Sequence, residues 1–171
     1  MNFKIVAGGL SLSAVGLVAI ANFEGFSSTA YEPVPGDKLT IGFGSTGGVS
    51  AGDTIGVPEA LNRLEEDTSE AESAVRRCVK VPLTQKQFDA FTSLAFNIGR
   101  TAFCTSTLVK KINAGDEAGA CAEIKRWTCG PDPTGQYAAQ SPGHKCGPGK
   151  APLPGLISRR EAEYRMCMGI D

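Results

Sequence analysis

The sequence predicts an α+β fold, mostly α-helical, in which a small strand-containing lobe precedes a larger helical lobe. Three observations carry this. Residues 5–21 form an uncharged apolar run that ends at Asn22-Phe23-Glu24-Gly25. Residues 26–57 are rich in Gly, Thr, Val, Pro and Tyr, the composition of short strands and turns. From Pro58 onward, apolar residues recur at helical spacing between recognisable caps.

At 171 residues the chain suits one domain, or one domain in two lobes, with enough length to bury a core. Charged residues make up 20 % and the net charge is −1, so there is no basic excess of the kind that binds nucleic acid. Cys78, Cys104, Cys121, Cys129, Cys146 and Cys167 are an even set without any Cys-x-x-Cys spacing, and His144 is the single histidine. No metal site and no cofactor are expected from that donor set. Disulfides in an oxidising compartment are expected, and the preferred pairs are Cys78–Cys167, Cys104–Cys121 and Cys129–Cys146.

The apolar run admits three readings. As a permanent membrane span it is short and diluted by Gly8, Gly9, Gly16, Ser11 and Ser13. As a cleaved signal it offers Ala19-Ile20-Ala21. As an uncleaved export segment it is apolar enough to insert and weak enough to leave the bilayer. The third is preferred. Cleavage after Ala21 leaves Glu24 in a frayed terminus, whereas a helix over the run would support it.

Beyond Glu24, Pro35-Gly36-Asp37 marks a reversal into a strand near Lys38. Pro58 and Glu59 open a long charged helix that ends near Arg77 and bridges the lobes. Thr84 with Gln87 is a capping box for a helix with Phe88, Phe91, Ala95 and Ile98 on one face, closed by Gly99. Further helices are expected over Thr107–Ala114 and from the Asp116 cap to Trp127. Residues 130–155 read as a loop, and Ser158-Arg159-Arg160-Glu161 as a second capping box for a last helix to about Met168. Arg159 spaced four residues from Glu163 reads as a solvated ion pair.

Glu24 beside an apolar helix, with a second acid and a hydroxyl one hairpin away, is a way to build a glycosidase. Apolar surroundings favour the protonated form of one carboxyl, while a wetter acid stays ionised. Each member also has a plainer reading. Asp37 after Gly36 suits a turn that caps its own backbone. Thr40 suits a strand, Asp53 a turn, and Trp127 the core. Tyr31 and Phe43 suit either a sugar cleft or core packing.

Glu24-Gly25, Ala30-Tyr31, Thr40-Ile41-Gly42-Phe43-Gly44, Gln87-Phe88-Asp89-Ala90, Ala95-Phe96-Asn97-Ile98-Gly99, Ser106-Thr107-Leu108 and Arg126-Trp127 follow in this order. The ordered set resembles the phage-type lysozymes of glycoside hydrolase family 24, and the apolar N-terminus resembles the signal-arrest-release segment of membrane-tethered endolysins. The resemblance implies a lysozyme-like fold. It divides the chain into an uncleaved segment 1–22 and a lysozyme domain 23–171, with a small lobe over about 23–57, a connecting helix over about 58–79 and a helical lobe over about 80–171. It implies a muramidase that cuts the β-1,4 bond between N-acetylmuramic acid and N-acetylglucosamine in peptidoglycan for host-cell lysis. Glu24 matches the general acid and Thr40 the water-positioning threonine; Tyr31 and Phe43, from their own residue type and place, are the candidate substrate contacts. The family's aspartate is missing, because its place is Pro33; Asp37 is the substitute and Glu32 the runner-up.

The implied partners are peptidoglycan strands and, through the N-terminal segment, the bacterial inner membrane. A monomer at the periplasmic face, later released into the periplasm, is expected. Without a cysteine before Cys78, control by thiol exchange within the tether is excluded, so control is expected to be steric and topological. A lytic transglycosylase, which needs no second acid, and a secreted disulfide-stapled wall-binding module are the alternatives.

Overall fold

The structure, a computed structural model, describes residues 3–136 and 146–170. His144 lies outside that range, as does the middle of the loop expected over 130–155.

The N-terminal run does not form one helix. Ile5–Val6 (β1) pairs antiparallel with Pro82–Leu83 (β4), residues 7–9 make one 3₁₀ turn, and only Ala14–Glu24 (α1) is α-helical. Sequence explains the break. Gly8 and Gly9 weaken a helix, and Ser13 caps a new one by accepting from the Gly16 N–H at 3.1 Å. Among the described residues no helix is long and apolar enough to cross a membrane.

Ser27–Tyr31 (β2) and Thr40–Gly42 (β3) form a hairpin in which Tyr31 faces Thr40 and Ser27 faces Gly42, with a register shift between. Asp53 is a turn residue: its carboxylate accepts from the Ser50 N–H at 2.8 Å. Val57–Cys78 (α2) follows, about 33 Å long at 1.5 Å per residue. It begins with a proline at the first turn and Glu59 near its positive end, as expected.

Gln85–Ile98 (α3) is the centre of the helical lobe. Both capping-box bonds exist: Thr84 Oγ1 accepts from the Gln87 N–H at 3.1 Å, and Gln87 Oε1 accepts from the Thr84 N–H at 2.9 Å. Arg100–Thr105 (α4) is a helix the sequence reading did not separate, and it carries the fully buried Phe103. Thr107–Asn113 (α5) and Glu117–Ile124 (α6) are capped by Ser106 and Asp116. Cys129–Pro131 (β5) and Lys150–Pro152 (β6) pair antiparallel where only loop was expected. The last helix, Pro154–Met168 (α7), starts a turn before the expected Ser158 box, because a proline at its first position costs no hydrogen bond. Ser158 and Glu161 therefore lie inside the helix.

The main core joins α2 through α6 with Phe88, Phe91, Leu94, Phe103, Leu108 and Ile112, and the N-terminal segment supplies Ala7 and Leu10 to it. Trp127 packs at its edge, in keeping with the core reading. A second cluster sets Ile20 and Ala21 of α1 on Leu64 of α2, and a third sets Ile41 of β3 on Ile55 and Ala60. Phe43 packs against both of these smaller clusters.

Two of the three expected disulfides are differently paired. Cys78 at the end of α2 joins Cys104 on α4 (Cα–Cα 5.5 Å), and Cys121 on α6 joins Cys167 on α7 (5.7 Å). Cys129–Cys146 is paired as expected (5.7 Å). The existence of α4 is the reason: it carries Cys104 to the end of α2 and away from Cys121.

Candidate active site

Glu24 is the last residue of α1, and Gly25 ends the helix with φ 73°, a backbone that only glycine adopts without strain. A carboxylate there faces the negative pole of its own helix, an unfavourable placement unless a cation answers it. Arg159 of α7 does so, with Nη1 2.7 Å from Glu24 Oε1. The same guanidinium donates from Nε to Glu163 Oε1 at 3.2 Å and from Nη2 to the Ser93 carbonyl at 3.4 Å, and lies 5.0 Å from the Phe23 ring centre. All its nitrogens are thus committed, so its direction is fixed.

Behind Arg159 stands a buried polar group. Glu163 accepts from the Ser93 hydroxyl at 2.6 Å and from Arg160 Nη2 at 2.8 Å, and Arg160 Nη1 donates to Asn97 Oδ1 at 3.1 Å. Burial pushes the Glu163 carboxyl above its ordinary value and the Arg160 guanidinium below its own, each against the attraction of the other. Arg159 and Glu163 are therefore not the solvated pair of the sequence reading. They are 5 % and 0 % exposed, because the Arg159–Glu163 face of α7 is the one packed on α3.

The side chain of Glu24 keeps 26 % of its surface exposed and touches two depressions. One, about 330 Å³, is lined by Gly25, Phe26, Ser27, Tyr31 and Gly42 of the small lobe. The other, about 450 Å³, is lined by Phe23, Asn97, Leu153, Leu156 and Arg159 of the helical lobe, among others. Glu24 is the residue common to both and the one carboxylate in either lining. The arrangement can present a single fixed acid to the middle of a chain-like ligand laid across the lobes. An arginine stands against this acid in place of the apolar wall that the sequence suggested.

The remaining candidates fall at different distances from this centre. Tyr31 lines the small-lobe depression. Phe43 does not; it packs inward and meets Phe26, which does line it, with ring centres 5.3 Å apart. Thr40 is 6 % exposed, donates to the Lys38 carbonyl at 3.2 Å, and shares its face of β3 with the cleft residue Gly42. Asp37 is exposed on a turn closed by its N–H to the Val34 carbonyl at 2.9 Å, and its carboxylate has no hydrogen-bond partner among the described residues. Glu32 is engaged: its Oε1 accepts from the Gly36 N–H at 2.7 Å and caps that same turn. Among the described residues no group of His, Cys, Asp or Glu could hold a metal ion.

The phage lysozyme family model matches residues 21–163. The chain belongs to the phage lysozyme family. An endolysin of Acyrthosiphon pisum secondary endosymbiont phage 1 is 42 % identical over 154 residues, which is 90 % of this chain and 95 % of that protein. A SAR-endolysin of Escherichia phage Mu is 35 % identical over 85 % of this chain and 74 % of its own length. Among solved structures, the endolysin from Escherichia coli O157:H7 phage FAHEc1 superposes with a TM-score of 0.78 at 33 % identity, covering 97 % of this chain and 96 % of that one.

Arg159 and Asn97 are the functional candidates that sequence reasoning missed. A signal was available. Arg159, Glu163 and Cys167 are spaced by four, so a buried bridge at Cys167 puts the other two on the same inward face.

Proposed function

We propose that this phage-type lysozyme, an endolysin acting on peptidoglycan, uses Glu24 as the general acid that protonates the oxygen leaving from the β-1,4 bond after N-acetylmuramic acid. The observation that carries the reading is the position of Glu24 between the two depressions, with one oxygen held by Arg159. That leaves Oε2, which has no hydrogen-bond partner among the described residues, to face the substrate. A glycan strand filling both depressions excludes water from this oxygen and brings the glycosidic oxygen to it.

Asp37 then polarises a water on the opposite face of the sugar, oriented by Thr40. Inverting enzymes leave about 6.5–9.5 Å between their two carboxyls for that water. Asp37 is preferred to Glu32 because its carboxylate is uncommitted, while that of Glu32 already closes the turn. The test is residual lysis of a cell-wall suspension. Glu24→Gln should lose about 10²–10⁴-fold with an unchanged melting temperature, the usual worth of general acid catalysis. Asp37→Asn should fall severely and Glu32→Gln mildly. The reverse order moves the base to residue 32. Full activity in both, with anhydro-sugar ends among the products, would replace hydrolysis by transglycosylation.

Residues 5–21 serve as an uncleaved export segment, held first in the inner membrane at its periplasmic face and released to the periplasm. Two observations support this: likeness to a SAR-endolysin, and the use of Ala7, Leu10, Ile20 and Ala21 in the cores of the folded chain. Loss of residues 1–21 would strip α1 from Glu24. While the segment lies in the bilayer α1 cannot be seated, so the enzyme is inactive until release.

A further inference from the structure

Of the buried polar groups that this chemistry does not use, the Asp89 carboxylate is tied to the N-terminal segment most directly. It lies near the start of α3, is 3 % exposed, and accepts three hydrogen bonds. The Ser13 N–H gives one at 3.0 Å, the Ser13 hydroxyl one at 2.6 Å, and Gln85 Nε2 one at 2.8 Å. The Ser13 oxygen in turn accepts from the Gly16 N–H at 3.1 Å, so Asp89 holds the positive end of α1 both directly and through its cap. Gln85 Nε2 also donates to the Ser11 carbonyl at 2.8 Å.

The seat is shaped as well as charged. A Cβ added at Gly16 would stand 2.8 Å from Asp89 Cγ, so α1 approaches α3 this closely only because residue 16 is glycine. Along the rest of α1, Ile20 and Ala21 pack on Leu64. Apolar contacts of that kind are non-directional and do not set the rotation or advance of a helix along its axis. The Asp89 bonds do.

We propose that Asp89 is a positioning residue for the reaction: by seating Ser13 and Gly16 it sets the rotation and advance of α1, and so where Glu24, at the far end of the same helix, meets the glycosidic oxygen. This rests on Glu24 being the acid. α1 runs about 15 Å from Ala14 to Glu24, a rigid rod over which a displacement at one end is delivered to the other.

The test uses the full-length oxidised protein with wild type, Glu24→Gln, Ser13→Ala, Asp89→Asn, the Ser13→Ala/Asp89→Asn double variant and Gly16→Ala. Each is assayed on purified peptidoglycan fragments well below its own melting temperature. Asp89→Asn and Gly16→Ala should lower kcat by about ten- to a hundredfold, the scale of a misplaced catalytic group, with KM within about twofold of wild type. Gly16→Ala keeps every hydrogen-bonding partner and raises helix propensity, so its loss cannot come from a weakened helix. The double variant should lose less than the sum of the two single losses, because the Ser13–Asp89 bonds are removed by either substitution. Hydrogen exchange in residues 14–18 should quicken while α3 and α5 stay protected. Unchanged kcat in Asp89→Asn and Gly16→Ala, with activity still dependent on Glu24, would overturn the positioning role alone, as would additive losses in the double variant. Equal activity of wild type and Glu24→Gln would overturn the assignment of the acid, and the positioning role with it.

Discussion

Arg159→Lys keeps the positive charge and removes the fork, and the structure says which partner loses. The guanidinium serves Glu24, Glu163 and the Ser93 carbonyl from three different nitrogens, whereas an ammonium on a shorter reach is a point charge that cannot span them. Glu163 has no water to turn to, being 0 % exposed, while the Glu24 side chain is 26 % exposed and can be solvated. The ammonium should therefore stay with Glu163 and abandon Glu24. Stability loses one charge-assisted hydrogen bond, about 1.5–3 kcal/mol, together with about 0.5–1 kcal/mol of cation–π contact with Phe23. For a chain of this size about 2–4 kcal/mol lowers Tm by about 4–16 °C. Activity should suffer separately, with kcat down about ten- to a hundredfold and KM nearly unchanged, because Glu24 is no longer aimed. Calorimetry and steady-state kinetics on peptidoglycan fragments read the two effects. A variant with wild-type kcat at a temperature where it is folded would refute the aiming role of Arg159.

Non-reducing peptide mapping should recover Cys78–Cys104, Cys121–Cys167 and Cys129–Cys146 peptides; a Cys78–Cys167 peptide would contradict the packing of α4. Serine pairs at 121 and 167, which close a separation of 46 residues, should cost about 4 kcal/mol, and those at 129 and 146, closing 17, about 3 kcal/mol on chain entropy alone. Glu117 is held below its ordinary value by hydrogen bonds from Lys4 and then Gln87. Its contribution to docking of β1 is therefore present above the ordinary value and lost as pH falls through the lowered folded one; solvent screens this exposed pair, so protection at residues 5–6, referred to the intrinsic exchange rate at each pH, should fall in acid before global unfolding. Gly8→Leu/Gly9→Leu should trap exported protein in the membrane fraction and abolish lysis, since both positions have room in the folded chain, with at most an Ile5 methyl nearby. Undiminished lysis would sink release as the control step. Gly16 is unsuited to that experiment, because its side of α1 is occupied by Asp89.

Local chemistry made several parts of this protein readable from sequence. The Thr84–Gln87 box, the Pro58 start of α2, the Gly25 and Gly99 helix ends and the Asp53 turn are each decided within a few residues, by caps, ring closure or a positive φ. The order of motifs gave the family, and Glu24 at the end of an apolar run gave the candidate acid. What sequence could not decide is what meets across the chain. The apolar run reads as one helix by composition, yet pairing with β4 and capping at Ser13 by Asp89 divide it, because bonds supplied from more than 70 residues away outweigh local propensity. Arg159 and Glu163 read as a surface pair by spacing, yet the face of α7 that meets α3 is the face they occupy. Cysteine pairing followed α4, a helix too short to announce itself. Sequence alone thus determined most of the helices and the candidate acid, through local steric and hydrogen-bonding rules and the order of motifs. Only tertiary packing decided which cation holds that acid and which carboxylate seats its helix, since both depend on distances between segments that are far apart in the chain.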